Sequence, residues 1–256
     1  MIESLLDSKA REISAVIDAE FPGRFIIDDE ENIAQAIAHG VTIHEVVSIG
    51  ERTPADVLAQ ALREHHIEVV GMAVHVAKRL FGHDKRPRLF AVAETPQSHD
   101  LDSALSPEGD IVVLDGVRLP GNIGAIVRTA AGLGAAAVVL VDSGLEDALD
   151  RRLVRASRGL VFAIPVIIAS REDVLAALQE HDIPLASLAA DAPQKLSTIA
   201  DVEGRIALVM GSEKHGVSTQ LHEHAKYRFS IPMREGVESL NVSVATGIAL
   251  FTHAQR

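Results

Sequence analysis

Ile111-Val-Val-Leu-Asp-Gly-Val-Arg-Leu-Pro-Gly-Asn-Ile-Gly-Ala-Ile-Val-Arg-Thr-Ala130 runs from an unbroken apolar segment through a glycine-rich turn into a helical pattern. An uninterrupted apolar run suits a strand covered on both faces, as in a parallel sheet, better than a strand with one wet face. Gly121 and Gly124 loosen the backbone where strand gives way to helix. Asn122 and Arg128 lie six residues apart, which is not one face of a regular helix, so the asparagine sits in or before the first turn. A dinucleotide fold needs Gly-x-Gly-x-x-Gly at such a junction. The Gly121-Asn-Ile-Gly124 spacing does not supply it, and the chain holds no P-loop pattern. Taken alone, the stretch stays open between a ligand-binding junction and an ordinary strand-to-helix turn carrying a surface arginine.

Toward the C-terminus the same kind of run recurs at Val138–Val141, Phe162–Ile168, Pro184–Ala190 and Ile206–Met210, with helical segments between. This alternation predicts an α/β domain built on a parallel sheet, in which ligands bind beyond the carboxyl ends of the strands. Two further junctions there are rich in glycine and polar residues. Leu208-Val-Met-Gly-Ser-Glu-Lys-His-Gly-Val-Ser218 carries a strand straight into Gly211, Ser212, Glu213 and Gly216. Glycines at a strand end allow close backbone approach to a ligand; read blandly, they make a turn beside a solvated Glu213. The third junction, from Phe229 to Leu250, leads into a final helix over Ser239–His253, with Glu238 or Ser239 as its cap. Asn241 and Ser243 then fall early in an apolar helix, where polar side chains are costly unless they face a ligand, a partner or backbone acceptors.

Toward the N-terminus, Thr95 to Asp110 has linker composition, with prolines, serines and no sustained apolar period. It divides a domain over 1–105 from one over 106–256. The first reads as a smaller α/β sandwich behind an amphipathic N-terminal helix. Its strands are expected at Phe25–Ile27, Ile43–Ile49, Ile67–Val70 and Leu89–Ala93. Its helices are expected over Asp28–His39, stopped by Gly40, from a Thr53-Pro54 cap to about His65, and over Val74–Leu80.

The 256 residues are 47% hydrophobic, yet no apolar stretch reaches the roughly 18 residues a membrane helix needs. The N-terminus lacks a basic-then-apolar leader pattern. The chain has no cysteine, which excludes disulfides, thiolate metal sites and a cysteine nucleophile. A cytoplasmic protein without membrane or metal is expected. The net charge of −12 argues against a nucleic-acid partner until its distribution is considered. Lys78, Arg79, Lys85, Arg86 and Arg88 surround a single acid, Asp84, and Arg151, Arg152, Arg155 and Arg158 form a second island. These islands are either solvated faces or phosphate contacts.

Three motifs, in order, give the chain a family likeness. Asn122-x-Gly-x-x-x-Arg-Thr-Ala130, Gly211-Ser-Glu-x-x-Gly216 and Ile231-Pro-Met233 with Glu238-Ser-Leu-Asn-Val-Ser-Val-Ala245 resemble the SpoU (TrmH) branch of the SPOUT methyltransferases over residues 111–256. Asp150-Arg-Arg-Leu-Val-Arg-Ala-Ser-Arg-Gly159 with Val161-Phe162 is similar to the thiostrepton- and nosiheptide-resistance methyltransferases. Their N-terminal domain resembles a kink-turn-binding ribosomal protein. The resemblance implies a C-terminal trefoil knot, which general topology rules alone would disfavour, a homodimer, and S-adenosylmethionine as methyl donor. It implies transfer to a ribose 2′-hydroxyl of structured RNA, expected to be an adenosine of 23S ribosomal RNA, with thiopeptide antibiotic resistance as the role. Another rRNA or tRNA ribose is the alternative substrate, and a SPOUT-fold protein that holds RNA without catalysis is the alternative class. A dinucleotide-dependent oxidoreductase is a distant third.

The same resemblance implies that Arg128 is the catalytic arginine, that Asn122 positions the target nucleotide, and that Glu213, Ser239 and Asn241 complete the polar lining. Donor contacts are implied for Arg128, Arg158, Leu188, Gly211, Ser212, Glu213, Ile231 and Leu240. RNA phosphates would fall to Lys78, Arg79, Lys85, Arg86 and Arg88, with Phe81 beside them. A guanidinium ordinarily stays protonated, so Arg128 is open between a base and a group that holds a phosphate or a nascent alkoxide.

Overall fold

The computed structural model describes residues 1–50, 52–82, 87–237 and 239–255, in two compact units, Met1–Gln97 and Ser98–Arg256. In the first, α1 (Ser8–Ile17) precedes β1 (Arg24–Asp28), α2 (Glu30–Ala38), β2 (Ile43–Ile49), α3 (Asp56–Glu64), β3 (Glu68–Met72), α4 (Val74–Leu80) and β4 (Leu89–Glu94). The sheet order is β1-β4-β2-β3, with β4 antiparallel to both neighbours and β2 parallel to β3. Strand periodicity sorts the side chains onto two buried faces. Ile26, Val47, Val70 and Val92 pack with Ile13 of α1 and Val76 of α4. Ile27 and Val46 point the other way, the side on which α2 and α3 bury Ile33, Ile37, Leu58 and Leu62. The result is a three-layer sandwich. The expected Thr53 cap does not form. Helix α3 starts at Asp56 because the Ala55 N–H that Thr53 would have satisfied donates to Glu30 Oε2 at 2.7 Å.

The second unit runs α5 (Leu101–Leu105), β5 (Ile111–Asp115), α6 (Pro120–Gly132), β6 (Ala137–Val141), α7 (Arg151–Ala156), β7 (Val166–Ile168), α8 (Arg171–Glu180), β8 (Leu185–Leu188), β9 (Gln194–Lys195), β10 (Ala207–Gly211), α9 (Thr219–His224), β11 (Tyr227–Ser230) and α10 (Val242–Ala254). Every described pairing is parallel, in the order β7-β6-β5-β10-β8-β11-β9. Strands β5, β6 and β10 are buried along nearly their whole length, as their apolar runs predict. One face carries Val113, Val139 and Val209 against Val174 and Leu178 of α8 and Leu221 of α9. Helices α6, α7 and α10 pack together on the other side, burying Ile126, Val127, Leu153 and Leu250. Fully burying each such side chain contributes on the order of 2 kcal/mol.

Four expectations change here. The apolar run Phe162–Ile168 is not one strand: a 3₁₀ turn over Leu160–Phe162 and Pro165, which has no N–H to give a ladder, confine β7 to Val166–Ile168. Part of the polar linker folds as α5, capped by Asp100, whose carboxylate accepts the Ser103 N–H at 2.8 Å, so that Ala104 and Leu105 are buried. Helix α10 begins at Val242 rather than Ser239. Its cap is Asn241, whose Oδ1 accepts the Ser243 N–H at 2.9 Å, while the other expected cap, Glu238, lies outside the described residues. Short β9 and β11 were not expected. At its far end α10 is pinned by His253, whose Nδ1 lies 2.6 Å from Asp110 Oδ2 and whose Nε2 lies 3.2 Å from the Val202 carbonyl.

Candidate active site

Register brings Asp115 at the end of β5 opposite Gly211 at the end of β10 and Val141 at the end of β6. The loop after β10, Gly211 to Ser218, folds back on itself: the Gly216 N–H donates to the Ser212 carbonyl at 2.8 Å. Position 211 must be glycine, because a Cβ there would lie 2.0 Å from the Gly216 carbonyl carbon. A second close approach fixes α6, where a Cβ on Gly124 would lie 2.5 Å from Ala156 of α7. With α6 seated so closely, Asn122 in its first turn meets the loop. The Asn122 amide nitrogen donates to Glu213 Oε1 at 3.4 Å, and the Asn241 amide nitrogen donates to Glu213 Oε1 at 3.3 Å and to Asn122 Oδ1 at 3.1 Å. Three segments far apart in sequence thus meet in one polar triad. Asn241 therefore has two tasks, capping α10 with its oxygen and joining the triad with its nitrogen.

Two cavities flank this triad. One, of about 330 Å³, contains Leu188, Gly211, Ser212, Glu213, Ile231, Ser239 and Leu240, each named from sequence, on its walls. Met210, Phe229, Met233, Val242 and Ala245 are among its other walls and were missed. Nothing but their adjacency to the motifs marks these apolar residues, which otherwise read as core. The second cavity, of about 690 Å³, is lined by Asn122, Arg118, Lys214, His215, Asp142 and Arg171, among others. Ser212, Glu213, Gly216 and Val242 line both, so the two spaces share a wall.

Beneath the second cavity lies a tight ionic network. Asp115, 2% exposed, accepts at Oδ1 from Arg171 Nε (3.0 Å) and Nη2 (2.6 Å), and at Oδ2 from the Ser218 N–H (2.6 Å). Arg171 Nη1 pairs with Asp142 Oδ2 at 2.6 Å, and Nε also reaches Ser218 Oγ at 3.0 Å. Burial works against the guanidinium charge, but the hydrogen bonds and attraction of Asp115 and Asp142 outweigh it and raise its pKa. No sequence signal distinguished Arg171, which stands in a Ser-capped first turn like any solvated arginine.

Arg128 and Arg158 are exposed and line neither cavity. Helical geometry separates Arg128 from Asn122 around α6. In the first unit, Lys78 and Arg79 occupy the last turn of α4 and are exposed, as is Arg88, while Lys85 and Arg86 lie outside the described residues. Phe81 is a core residue and not a surface contact: its ring is 4% exposed and meets Phe90 edge-on at 5.2 Å between centroids. No helix among the described residues is long and apolar enough to cross a membrane.

Comparison with known proteins fits this geometry. The SpoU rRNA Methylase family profile matches residues 110–251, and that of the thiostrepton-resistance methylase N terminus matches residues 1–106. A 23S rRNA (adenosine(1067)-2′-O)-methyltransferase of Streptomyces laurentii is 38% identical over 261 residues, covering 100% of this chain and 96% of that protein. An AdoMet-bound rRNA methyltransferase from Sinorhizobium meliloti superposes with a TM-score of 0.79 at 26% identity, covering 99% of this chain and 97% of the other. The SpoU methyltransferase AviRb from Streptomyces viridochromogenes, in complex with AdoMet, shares the fold at 24% identity and a TM-score of 0.80, over 97% and 98% of the two chains. Sheet, strand-end loops and these matches define the class, an RNA methyltransferase. The chain belongs to the SpoU rRNA methylase family, with the N-terminal domain of the thiostrepton-resistance methylases. The α/β fold with its parallel sheet and the family likeness stand as expected from sequence.

Proposed function

We propose that this protein transfers a methyl group from S-adenosylmethionine to the 2′-hydroxyl of an adenosine in 23S ribosomal RNA, in the cytoplasm, and thereby protects the ribosome against thiopeptide antibiotics. The observation that carries the reading is the shared wall: Ser212, Glu213 and Val242 border both a cleft of donor size and a larger polar cavity. Transfer needs donor and acceptor on opposite sides of one short gap.

The smaller cleft fits the donor by the chemistry of its walls. Leu188, Met210, Phe229, Ile231 and Leu240 offer an apolar slot for a purine and alkyl chain, and Gly211 leaves the loop backbone bare against it. Its volume lies within the range of small-molecule sites. When bound, the donor supplies an electrophilic methyl on a sulfonium. Glu213, Asn122 and Asn241 then orient the incoming ribose by exchanging the triad's mutual hydrogen bonds for bonds to the nucleotide. A 2′-hydroxyl is a poor nucleophile at neutral pH, so orientation and proton removal are the main tasks. The Arg128 guanidinium would stabilise the developing alkoxide or hold the adjacent phosphate, while the hydroxyl proton leaves to solvent.

Arg128 lies outside both cavities of its own subunit, and we place it in the site of a second copy. Val244, Ile248 and Phe251 form an exposed apolar stripe along α10 at helical spacing. A homodimer that covers this stripe is the arrangement that accounts for it. The position of β10, inserted between β5 and β8, supports a chain that threads its C-terminal part through an earlier loop as a trefoil knot. Lys78, Arg79 and Arg88, with Lys85 and Arg86, hold phosphates of structured RNA and need no metal.

The test is to incubate the protein with labelled donor and 23S rRNA and to map ribose methylation. A single 2′-O-methyladenosine is expected. Methylation confined to a guanosine, or to tRNA, would refute the target, and donor binding without transfer to any RNA would refute the enzyme. Arg128→Ala is expected to abolish transfer while the fold persists, and mixed dimers of Arg128→Ala with Asn122→Ala subunits should regain about one working site. Absence of that complementation would refute the placement across subunits.

A further inference from the structure

Glu213 stands on a loop that both cavities use, and one residue, Asp115, holds both ends of that loop, one through its backbone and the other through its buried carboxylate. Gly211 begins it, held by the backbone ladder opposite Asp115. Ser218 ends it, its N–H donating to Asp115 Oδ2 at 2.6 Å and its hydroxyl 3.0 Å from Arg171 Nε. Asp115 itself is 2% exposed and has its Oδ1 clamped by the Arg171 fork. Arg171 reaches from the first turn of α8 and is braced by Asp142, just beyond the end of β6, at 2.6 Å. A planar guanidinium, with its donors fixed in a fork, serves Asp115, Asp142 and Ser218 together.

We propose that Arg171 is a positioning residue for methyl transfer: by fixing Asp115 and Ser218 it sets the Gly211–Ser218 loop, and through it places Glu213 against Asn122 and Asn241. The inference rests on reading the smaller cleft as the donor site. Without the fork, the buried Asp115 carboxylate loses its partner and must turn or take up a proton, and the exit leg of the loop is released. Ser212 and Glu213 then shift on both cavities at once, and a displacement of about 1 Å at such a site lowers turnover by up to about a hundredfold.

The test uses the full-length Arg171→Lys protein, in which a cation stays beside Asp115 but the three-way fork is gone. Turnover is expected to fall tenfold to a hundredfold, the donor to bind several-fold more weakly by calorimetry, and RNA affinity to stay within about twofold. The Ser218 amide should exchange faster with deuterated solvent while amides of β5 and β6 keep their protection. Because Arg171 acts through Glu213, adding Arg171→Lys to Glu213→Gln should cost little further turnover. Wild-type turnover in Arg171→Lys overturns the proposal, and so does a parallel loss of RNA affinity and sheet protection, which marks general damage. Should Arg171→Lys not fold, Ser218→Ala decides, since it keeps the ion pairs and removes one hydroxyl tie; a loss of about fivefold, the value of one hydrogen bond, is expected and no loss overturns the idea. A wild-type protein that binds no donor removes the donor reading alone, because Ser218 exchange still reports whether Arg171 holds the loop.

Discussion

The two polar clusters that meet at the Gly211–Ser218 loop are built to opposite rules. The triad of Asn122, Glu213 and Asn241 is open to solvent and joined by bonds of 3.1 to 3.4 Å. The network of Asp115, Arg171, Asp142 and Ser218 is closed around a buried carboxylate, with bonds of 2.6 to 3.0 Å. A hydrogen bond in contact with water is worth little net, so the triad can trade its internal bonds for bonds to a substrate at small cost. A buried ion pair cannot, since parting it leaves a charge uncompensated. One cluster is made to be exchanged and the other to stay.

The contrast can be broken most forcefully at Asp115. Asp115→Ala leaves Arg171 half-buried with Asp142 as its one ion-pair partner, and should lower stability by about 3 kcal/mol in a denaturant titration. A change below about 0.5 kcal/mol would remove the distinction between the clusters. Within the triad, Asn241→Ala and Asn122→Ala should both lower turnover but separate in stability. Asn241 also caps α10, so its loss should cost about 1 kcal/mol, whereas Asn122→Ala should stay within about 0.5 kcal/mol. Equal stability of the two would deny the double task of Asn241.

A third cluster sharpens the scale at its low end. Asp150 caps α7, and the hydrogen bond from Arg152, with its charge, holds the carboxyl below its ordinary range. A depressed folded-state pKa adds stability that is complete above the unfolded value of about 3.9 and is lost as pH falls through the folded one. Asp150→Ala should therefore trail the wild type by up to about 1 kcal/mol at pH 7, discounted for exposure, with the gap narrowing toward pH 3. A gap that widens in acid would contradict the sign.

What the sequence made legible follows the same division. The strands of the second unit were readable because parallel strands buried on both faces are apolar throughout. The exceptions are instructive: β9 is two polar residues, β11 is short and mixes polar with apolar ones, and Pro165 interrupts an apolar run that composition alone reads as one strand. The triad was readable because its members sit in motifs. Arg171 was not, because its partners come from the ends of two other strands and from a loop, a convergence that no local pattern records. Phe81 was misplaced for the converse reason: nearness to a basic run says nothing about which way a ring points.

The insertion of β10 between β5 and β8 has a consequence for synthesis on the ribosome. Residues 207–211 emerge late, and until they do, β5 presents an unpaired edge to the cell and β8 lacks both its neighbours, since β11 follows β10. The nascent chain therefore carries β7-β6-β5 as a partial sheet with one open edge until β10 arrives, exposed to mispairing and to chaperones. The central strand of the finished domain is thus among the last pieces to arrive, and refolding of the whole chain should be slow for the same reason.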